Sequence, residues 1–383
     1  MKKFGFGFMR LPTLPGGGEG DIDYPKAFEM VDYFLSQGFT YFDIARGYME
    51  GNCEAAFNKC VAQRYERDKY VLTDKLTVDY FKTREDILPL IENQLKVTGA
   101  GYFDYYFLHS VSRLTYPKFL SCGALEILRP LKEKGLVKHI GISYHDKSDF
   151  LDEILTAHPE IEVVQIQFNY ADYRDTGIDS RGVYETARKH NKPVLVMEPV
   201  KGGILSRLPE RAMAVISELN EELSVSPSRG SSPASYAIRF AASFEGIMMV
   251  LSGMNNLEQV VENTSFMKDF VPLNPREYEA LEKVNEILKA TDAIPCTNCR
   301  YCTSGCPQNI RIPDLFACLN SKRSFNEWGS EFYYEVNTAS GGKASDCIDC
   351  GQCEDACPQH LEIRSLLREV AEVFEKKEEE NGN

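Results

Sequence analysis

Eight of the twelve cysteines stand in two runs of one spacing, Cys296-x2-Cys299-x2-Cys302-x3-Cys306-Pro307 and Cys347-x2-Cys350-x2-Cys353-x3-Cys357-Pro358. Two-residue gaps let a coiling loop turn three thiolates toward one point, and four thiolates converging from different directions are what a [4Fe–4S] cubane requires. Other uses of cysteine fit less well. A zinc ribbon is satisfied by two C-x2-C pairs, which leaves the third and fourth cysteine of each run without work. Haem attachment needs C-x-x-C-H, and no cysteine here precedes a histidine. Disulfide frameworks belong to short secreted chains, whereas this one has 383 residues, and Gly5, Gly7, Arg10 and Pro12 interrupt any apolar leader after the basic start. The eight thiols therefore read as ligands of two [4Fe–4S] clusters in a reducing, cytoplasmic compartment. Cys53, Cys60, Cys122 and Cys318 lack that spacing and read as small packing hydrophobes.

The elements that must position this chemistry change character along the chain. Residues 1 to 290 alternate short β-branched or aromatic runs with amphipathic stretches, the pattern of parallel β/α architecture. Strands are expected at Lys3 to Met9, Thr40 to Ile44, Tyr70 to Lys75, Tyr105 to His109, Lys138 to Ser143, Val163 to Phe168, Pro193 to Glu198 and Ile247 to Leu251. Eight strands in this length predict a closed (β/α)8 TIM barrel. Between them, Arg84 to Val97 reads as a helix with Ile87, Leu88, Ile91 and Leu95 on its apolar face. A dinucleotide-binding sheet is the competing α/β answer, but Gly5-x-Gly7-x-x-Arg10 places arginine where the third glycine belongs. Gly16 to Gly20, flanked by Pro12 and Pro15, reads as a loop.

From residue 291 to 383 the texture turns to cysteine, proline and turns, which predicts a small, mainly helical ferredoxin-like iron–sulfur domain. The segment between the cysteine runs, with Trp328, Phe332, Tyr333 and Tyr334, is expected to pack this domain against the barrel. The charge run Glu375 to Glu380 reads as a helix end fraying into solvent. A net charge of −14 opposes a nucleic-acid footprint, and no apolar stretch approaches the ~20 residues of a membrane span.

In a barrel, catalytic groups stand at the carboxyl ends of strands. Asp43, Tyr48, Lys75 and His109 meet that condition. Their contexts, Phe42-Asp43-Ile44-Ala45-Arg46-Gly47-Tyr48, Thr73-Asp74-Lys75-Leu76 and Tyr106-Phe107-Leu108-His109, resemble three motif segments of aldo/keto reductases. The resemblance implies that the four residues form that family's catalytic tetrad. Hydride reduction of a carbonyl leaves an alkoxide, so a positioned acid must protonate the oxygen. The resemblance assigns this to Tyr48, with Lys75 expected to lower the phenol's pKa from near 10 toward the working range, Asp43 to hold the lysine charged, and His109 to orient the substrate oxygen.

The resemblance extends along the barrel. Gly7 to Pro12 is similar to the family's opening strand, and Gly51-Asn52-Cys53-Glu54 to the glycine and glutamate after its tyrosine. Gly141-Ile142-Ser143-Tyr144 is similar to a segment that holds the nicotinamide amide, with Tyr144 in place of the commoner asparagine, and Gln165 resembles a glutamine contacting the same amide. Met197 falls where many relatives stack an aromatic on the nicotinamide ring. Ser252, Gly253, Met254, Gln259, Glu262 and Asn263 resemble the adenosine-binding helix start, without the cations that pin the 2′-phosphate of NADP, so NAD and NADP both stay open. The stretch Ser224 to Ser235 is expected to shape the pocket. The cysteine runs resemble those of two-cluster bacterial ferredoxins, in which the fourth cysteine ligates the opposite cluster. That resemblance implies one set of Cys296, Cys299, Cys302 and Cys357 and another of Cys347, Cys350, Cys353 and Cys306.

Three functional readings follow. The first is an NAD(P)-dependent oxidoreductase acting on a small-molecule carbonyl or alcohol. The second is an electron-transfer protein using the barrel as scaffold. The third is a lyase or epimerase that borrows and returns a hydride. Nicotinamide delivers two electrons while a cluster takes one, and flavins normally mediate between them. No flavin signature is evident, so the clusters are expected either to exchange electrons with an external electron-transfer protein or to act structurally.

Overall fold

The computed structural model describes residues 2–225, 229–289 and 292–375. The expected boundary at 290 and 291, the tail from 376 onward, and residues 226–228 of the expected pocket stretch lie outside the described residues. The chain forms two compact units, one of residues 1–170 and 181–283, the other of 171–180 and 284–383.

In the first unit eight parallel strands close into a barrel in chain order. They are β1 Phe4–Gly7, β2 Tyr41–Asp43, β3 Val71–Leu76, β4 Phe103–Val111, β5 Val137–Tyr144, β6 Val163–Gln167, β7 Val194–Met197 and β8 Ile247–Gly253. Each expected strand is present, with ends shifted by a residue or two. Side chains alternate in facing along each strand, and in a small barrel the interior positions must be filled. Tyr41, Phe107, Val163, Leu195, Met249 and Leu251 form one buried cluster of shared parity. Two glycines make room for their bulk: a Cβ at Gly5 would stand 2.7 Å from Leu251 Cδ2, and one at Gly141 2.5 Å from Phe107 Cε1. The same parity, followed toward the carboxyl ends, carries Asp43, Lys75, His109, Ser143, Gln165 and Met197.

The helix Arg84–Thr98 starts at a reciprocal cap between Thr83 and Asp86 and ends at left-handed Gly99. Its inward face differs from the expected one. Ile87, Ile91, Gln94 and Thr98 are buried, whereas Leu88 is 40% exposed. A polar Gln94 takes the place of leucine because it meets buried partners described below, which offset the cost of its burial.

The second unit is built twice over. Shifting by 51 residues carries the first cysteine run onto the second, and the same shift carries the helix Ile312–Phe325 onto Ile363–Phe374. Left-handed backbone recurs at matching places, Asn298 with Asp349, Arg300 with Gly351 and Asn309 with His360. Tyr333 and Tyr334 are buried in this unit's core with Phe316, Leu319 and Leu367, while Trp328 is 56% exposed. The loop after β6 contributes as well: Ile178 joins that core, and Asn337 Nδ2 donates to the Gly177 carbonyl at 3.1 Å. Among the described residues no helix is long and apolar enough to cross a membrane.

Candidate active site and cluster pockets

Asp43, Lys75 and His109 come from neighbouring strands β2, β3 and β4. Lys75 Nζ donates to Asp43 Oδ1 at 2.7 Å and to the Ile44 carbonyl at 2.8 Å. Both side chains are buried. Burial is the largest single influence on Lys75 and works to discharge it, but Asp43 and Tyr48 together raise the ammonium above the ordinary lysine range. Asp43 is raised, because desolvation exceeds the pull of Lys75. At 2.7 Å the two form a buried ion pair, which lasts only while both partners are present.

Tyr48 is held by a loop. After it Met49, Glu50 and Gly51 are left-handed in succession, with φ of 54°, 53° and 83°; the two non-glycine residues cost about 1–3 kcal/mol each, which the surrounding structure must offset. The turn brings the Tyr48 ring centroid to 5.0 Å from Lys75 Nζ and its hydroxyl to 3.4 Å from His109 Nε2. One expectation is reversed here. Burial pushes the Tyr48 phenol up to about 12, and the opposing pull of Lys75 does not overcome it.

His109 sits at an irregularity in the β4–β5 pairing between Leu108 and Val111, followed by left-handed Ser110 at φ 54°. Bulges of this kind re-aim side chains beside active sites. Thr77 Oγ1 lies 2.7 Å from His109 Nδ1. Burial, helped by Lys75 and then His145, holds His109 well below the ordinary histidine range, so the ring is neutral at pH 7. Thr77 was not singled out from sequence, although period-two alternation puts it on the face of Lys75.

Among the residues expected at the nicotinamide, Ser143 Oγ lies 3.1 Å from His145 Nε2. Tyr144 points elsewhere: its hydroxyl donates to the Lys147 carbonyl at 2.6 Å. The residue brought beside Ser143 is thus His145, held neutral by burial, with a pKa of about 4. Gln165 Oε1 is buried without a hydrogen-bond partner, an acceptor waiting for a donor. Met197 ends β7, followed by left-handed Glu198. Ser252 is buried and Gly253 exposed at the end of β8. The next helix, Leu257–Lys268, is capped by Asn256, whose side chain accepts from Gln259 N. Gln259 Oε1 accepts in turn from Asn255 N at 3.0 Å. Met254 and Asn263 are buried, and Gln259 and Glu262 exposed.

Behind the ion pair lies a polar network that sequence reasoning missed. Gln94 Nε2 donates to Glu54 Oε1 at 2.8 Å and to the Lys75 carbonyl at 3.2 Å, and Tyr106 Oη donates to Gln94 Oε1 at 2.5 Å. Arg46 Nη1 stands 3.5 Å from Glu54 Oε2. The network ties the loop before Tyr48 and the helix after it to the strand of Lys75.

Among the described residues of the second unit are two small hollows open to solvent. Cys296, Cys299, Cys302 and Cys357 line one, and Cys306, Cys347, Cys350 and Cys353 the other. The fourth thiol of each set crosses from the opposite run, which is the donor set two cubanes need. The four remaining cysteines are buried.

The aldo/keto reductase family model matches residues 3–286. The chain belongs to the aldo/keto reductase family. A 4Fe-4S dicluster domain model matches residues 295–361. The chain is similar to norsolorinic acid reductase B of Dothistroma septosporum, 26% identical over 137 residues, which cover 32% of this chain and 34% of that one. It is also similar to an aldo-keto reductase of Gibberella moniliformis, 26% identical over 207 residues, covering 52% and 59%. The chain thus spans between a third and three-fifths of the length of these two curated relatives. Among solved structures, an aldo-keto reductase from Bacillus halodurans in holo form superposes with TM-score 0.58 at 22% identity, covering 74% of this chain and 91% of that one. One from Klebsiella pneumoniae in complex with NADPH gives 0.57 at 18%, covering 74% and 90%. At these identities the superpositions establish the barrel fold of the chain.

Proposed function

We propose that the protein is an NAD(P)-dependent oxidoreductase that moves a hydride between nicotinamide and the carbon of a small carbonyl or alcohol, in a cytoplasmic setting. Residues 1–290 would carry this chemistry and residues 291–383 two [4Fe–4S] clusters. The observation that carries the reading is the buried ammonium of Lys75, fixed by Asp43 and the Ile44 carbonyl beneath a phenol whose hydroxyl stands 3.4 Å from His109 Nε2.

Bound nicotinamide would supply the hydride. The chain's own residues supply the rest. A phenol pushed up to about 12 stays protonated at neutral pH, so it holds the proton a carbonyl oxygen needs, although burial makes it a weaker acid than free tyrosine. Lys75 favours the phenolate that forms as the proton leaves. In the tautomer that has the Thr77 hydroxyl donating to Nδ1, neutral His109 would carry its proton on Nε2, from which it can donate to the same oxygen. Ser143 Oγ and the unpartnered Gln165 Oε1 suit a carboxamide, with His145 rather than Tyr144 alongside, and Met197 offers a soft contact for a ring face. The stretch from Ser252 to Asn263 contains no lysine or arginine, so its chemistry serves NAD as well as NADP.

The test is anaerobic purification of the full chain, followed by optical titration with NADH and NADPH in the presence of an aldehyde and ketone panel. Nicotinamide oxidation that depends on Tyr48 supports the reading, and an unchanged rate in Tyr48→Phe overturns it. Bleaching of cluster absorbance in the same titration places the clusters in turnover. Clusters that respond only to an added one-electron carrier assign them to an external electron-transfer protein.

A further inference from the structure

The loop that presents Tyr48 is strained, so contacts from outside it must hold it where it is. Met49, Glu50 and Gly51 are left-handed in succession, and two of the three lack glycine's freedom. The loop's own backbone bonds are short turns, from Tyr48 N to the Ala45 carbonyl at 3.1 Å and from Asn52 N to the Met49 carbonyl at 3.0 Å. Bonds of that reach shape a turn without setting its distance from β3.

The outside contacts come from the helix Arg84–Thr98, where two consecutive residues reach the two ends of the loop. Asn93 Oδ1 accepts from Arg46 Nη1 at 2.9 Å, just before Tyr48. Gln94 Nε2 donates to Glu54 Oε1 at 2.8 Å, on the helix Cys53–Phe57 just after the strained turn. The same amide donates to the Lys75 carbonyl at 3.2 Å and accepts from Tyr106 Oη at 2.5 Å. These partners settle which way the amide lies: reversed, its oxygen would face the Glu54 carboxylate and the Lys75 carbonyl, both acceptors.

The contacts differ in weight. The Arg46 side chain is 30% exposed and stands 3.5 Å from Glu54 Oε2, and ion pairs so placed contribute little. Gln94 and Glu54 are buried, so a bond lost between them leaves a polar group with neither partner nor water. Gln94 is therefore the stronger anchor, and it grips the Tyr48 loop and the Lys75 strand at once.

We infer that Gln94 and Glu54 are positioning residues, which set the separation between the Tyr48 ring and the Lys75 ammonium and act on proton transfer only through those two groups. The observed separation is 5.0 Å from ring centroid to Nζ. A displacement of about 1 Å at a reacting group can cost on the order of 10²-fold in rate. The inference rests on Tyr48 and Lys75 working as proposed above.

Three variants of the full chain test it. Gln94→Leu and Glu54→Leu each cut the anchor, whereas Glu54→Gln keeps an oxygen for Gln94 Nε2 and gives up only the charge beside Arg46. Peptide-resolved hydrogen exchange should quicken across residues 46–54 in both leucine variants and stay close to the parent in Glu54→Gln. Per folded, iron-loaded molecule, kcat for Tyr48-dependent carbonyl reduction should fall at least about tenfold in the leucine variants, with KM for the dinucleotide within about twofold. Glu54→Gln should recover most of the rate. Unchanged exchange across 46–54, a loss confined to KM, or a Glu54→Gln enzyme as slow as Glu54→Leu would overturn the inference. Where a leucine variant does not fold, Tyr106→Phe removes only the hydroxyl that fixes the Gln94 amide, and an unaltered exchange rate there overturns it equally. A parent without Tyr48-dependent turnover is a failure of the reductase reading, and exchange then decides the anchoring by itself.

Discussion

The barrel mouth and the cluster loops solve the problem of holding reactive groups in different ways. At the mouth, Asp43, Lys75 and His109 come from separate strands, with the charges of Asp43 and Lys75 buried as a pair and neutral His109 beside the Tyr48 hydroxyl. In the cluster unit, three of four ligands come from one short loop, and left-handed residues such as Asn298 and Asp349 coil that loop instead of a ladder of strands. A buried ionised site needs a rigid frame, because an ammonium that loses its carboxylate cannot turn to water. Thiolates that a cluster will tie together need only to be brought within reach.

This contrast is broken most severely by changes at the mouth. Tyr48→Phe removes the proton donor, so carbonyl turnover should fall by roughly 10²- to 10⁴-fold while iron content is unchanged; parallel assays of rate and iron check both halves. Lys75→Met leaves Asp43 buried and alone, and should lower unfolding free energy by about 3–5 kcal/mol in denaturant melts, with the cluster spectrum retained.

Acid should act on the barrel through its histidines. The unfolded chain takes up protons near pH 6.5, whereas partly buried His145 resists them until about 4. Stability present above pH 6.5 is therefore lost as pH falls toward 4, by about 3 kcal/mol from this residue, and more with His109, which is shifted the same way. Because the raised carboxylates of Asp43 and Asp74 act in the opposite sense, urea melts at pH 7 and pH 5 of the protein and of His145→Gln isolate this slope, and an equal slope in the two would contradict a neutral His145.

Smaller effects sharpen the picture of the frame itself. Gly141→Ala pushes a methyl to 2.5 Å from the Phe107 ring and 2.7 Å from the Val163 carbonyl, and should cost about 1–3 kcal/mol through strain in the barrel interior. Leu88→Ala, on the exposed face of its helix, should stay within about 0.5 kcal/mol.

Much of this was legible in the chain. The eight strands could be read because β-branched and aromatic runs recur with turn residues between them, and the thiol sets because a cubane fixes ligand spacing within one loop. Leu88 was misread, since a 3.6-residue period does not say that Gln94 has Glu54, Lys75 and Tyr106 to meet. The surroundings of Tyr144 were hidden for a related reason: adjacent residues on a strand face opposite ways, and its hydroxyl finds the Lys147 carbonyl while His145 comes to lie beside Ser143.

Residue type and spacing pointed to a β/α barrel followed by two cysteine runs, and the resemblance to aldo/keto reductases singled out its carboxylate, phenol, ammonium and imidazole. Tertiary structure decided the protonation states and the pairing. Whether Lys75 lowers the Tyr48 phenol or burial raises it depends on how much water reaches the ring, and whether Gln165 Oε1 is left free depends on partners far away in sequence. Solvation and long-range contact are properties of the closed barrel, and no local pattern of residues encodes them.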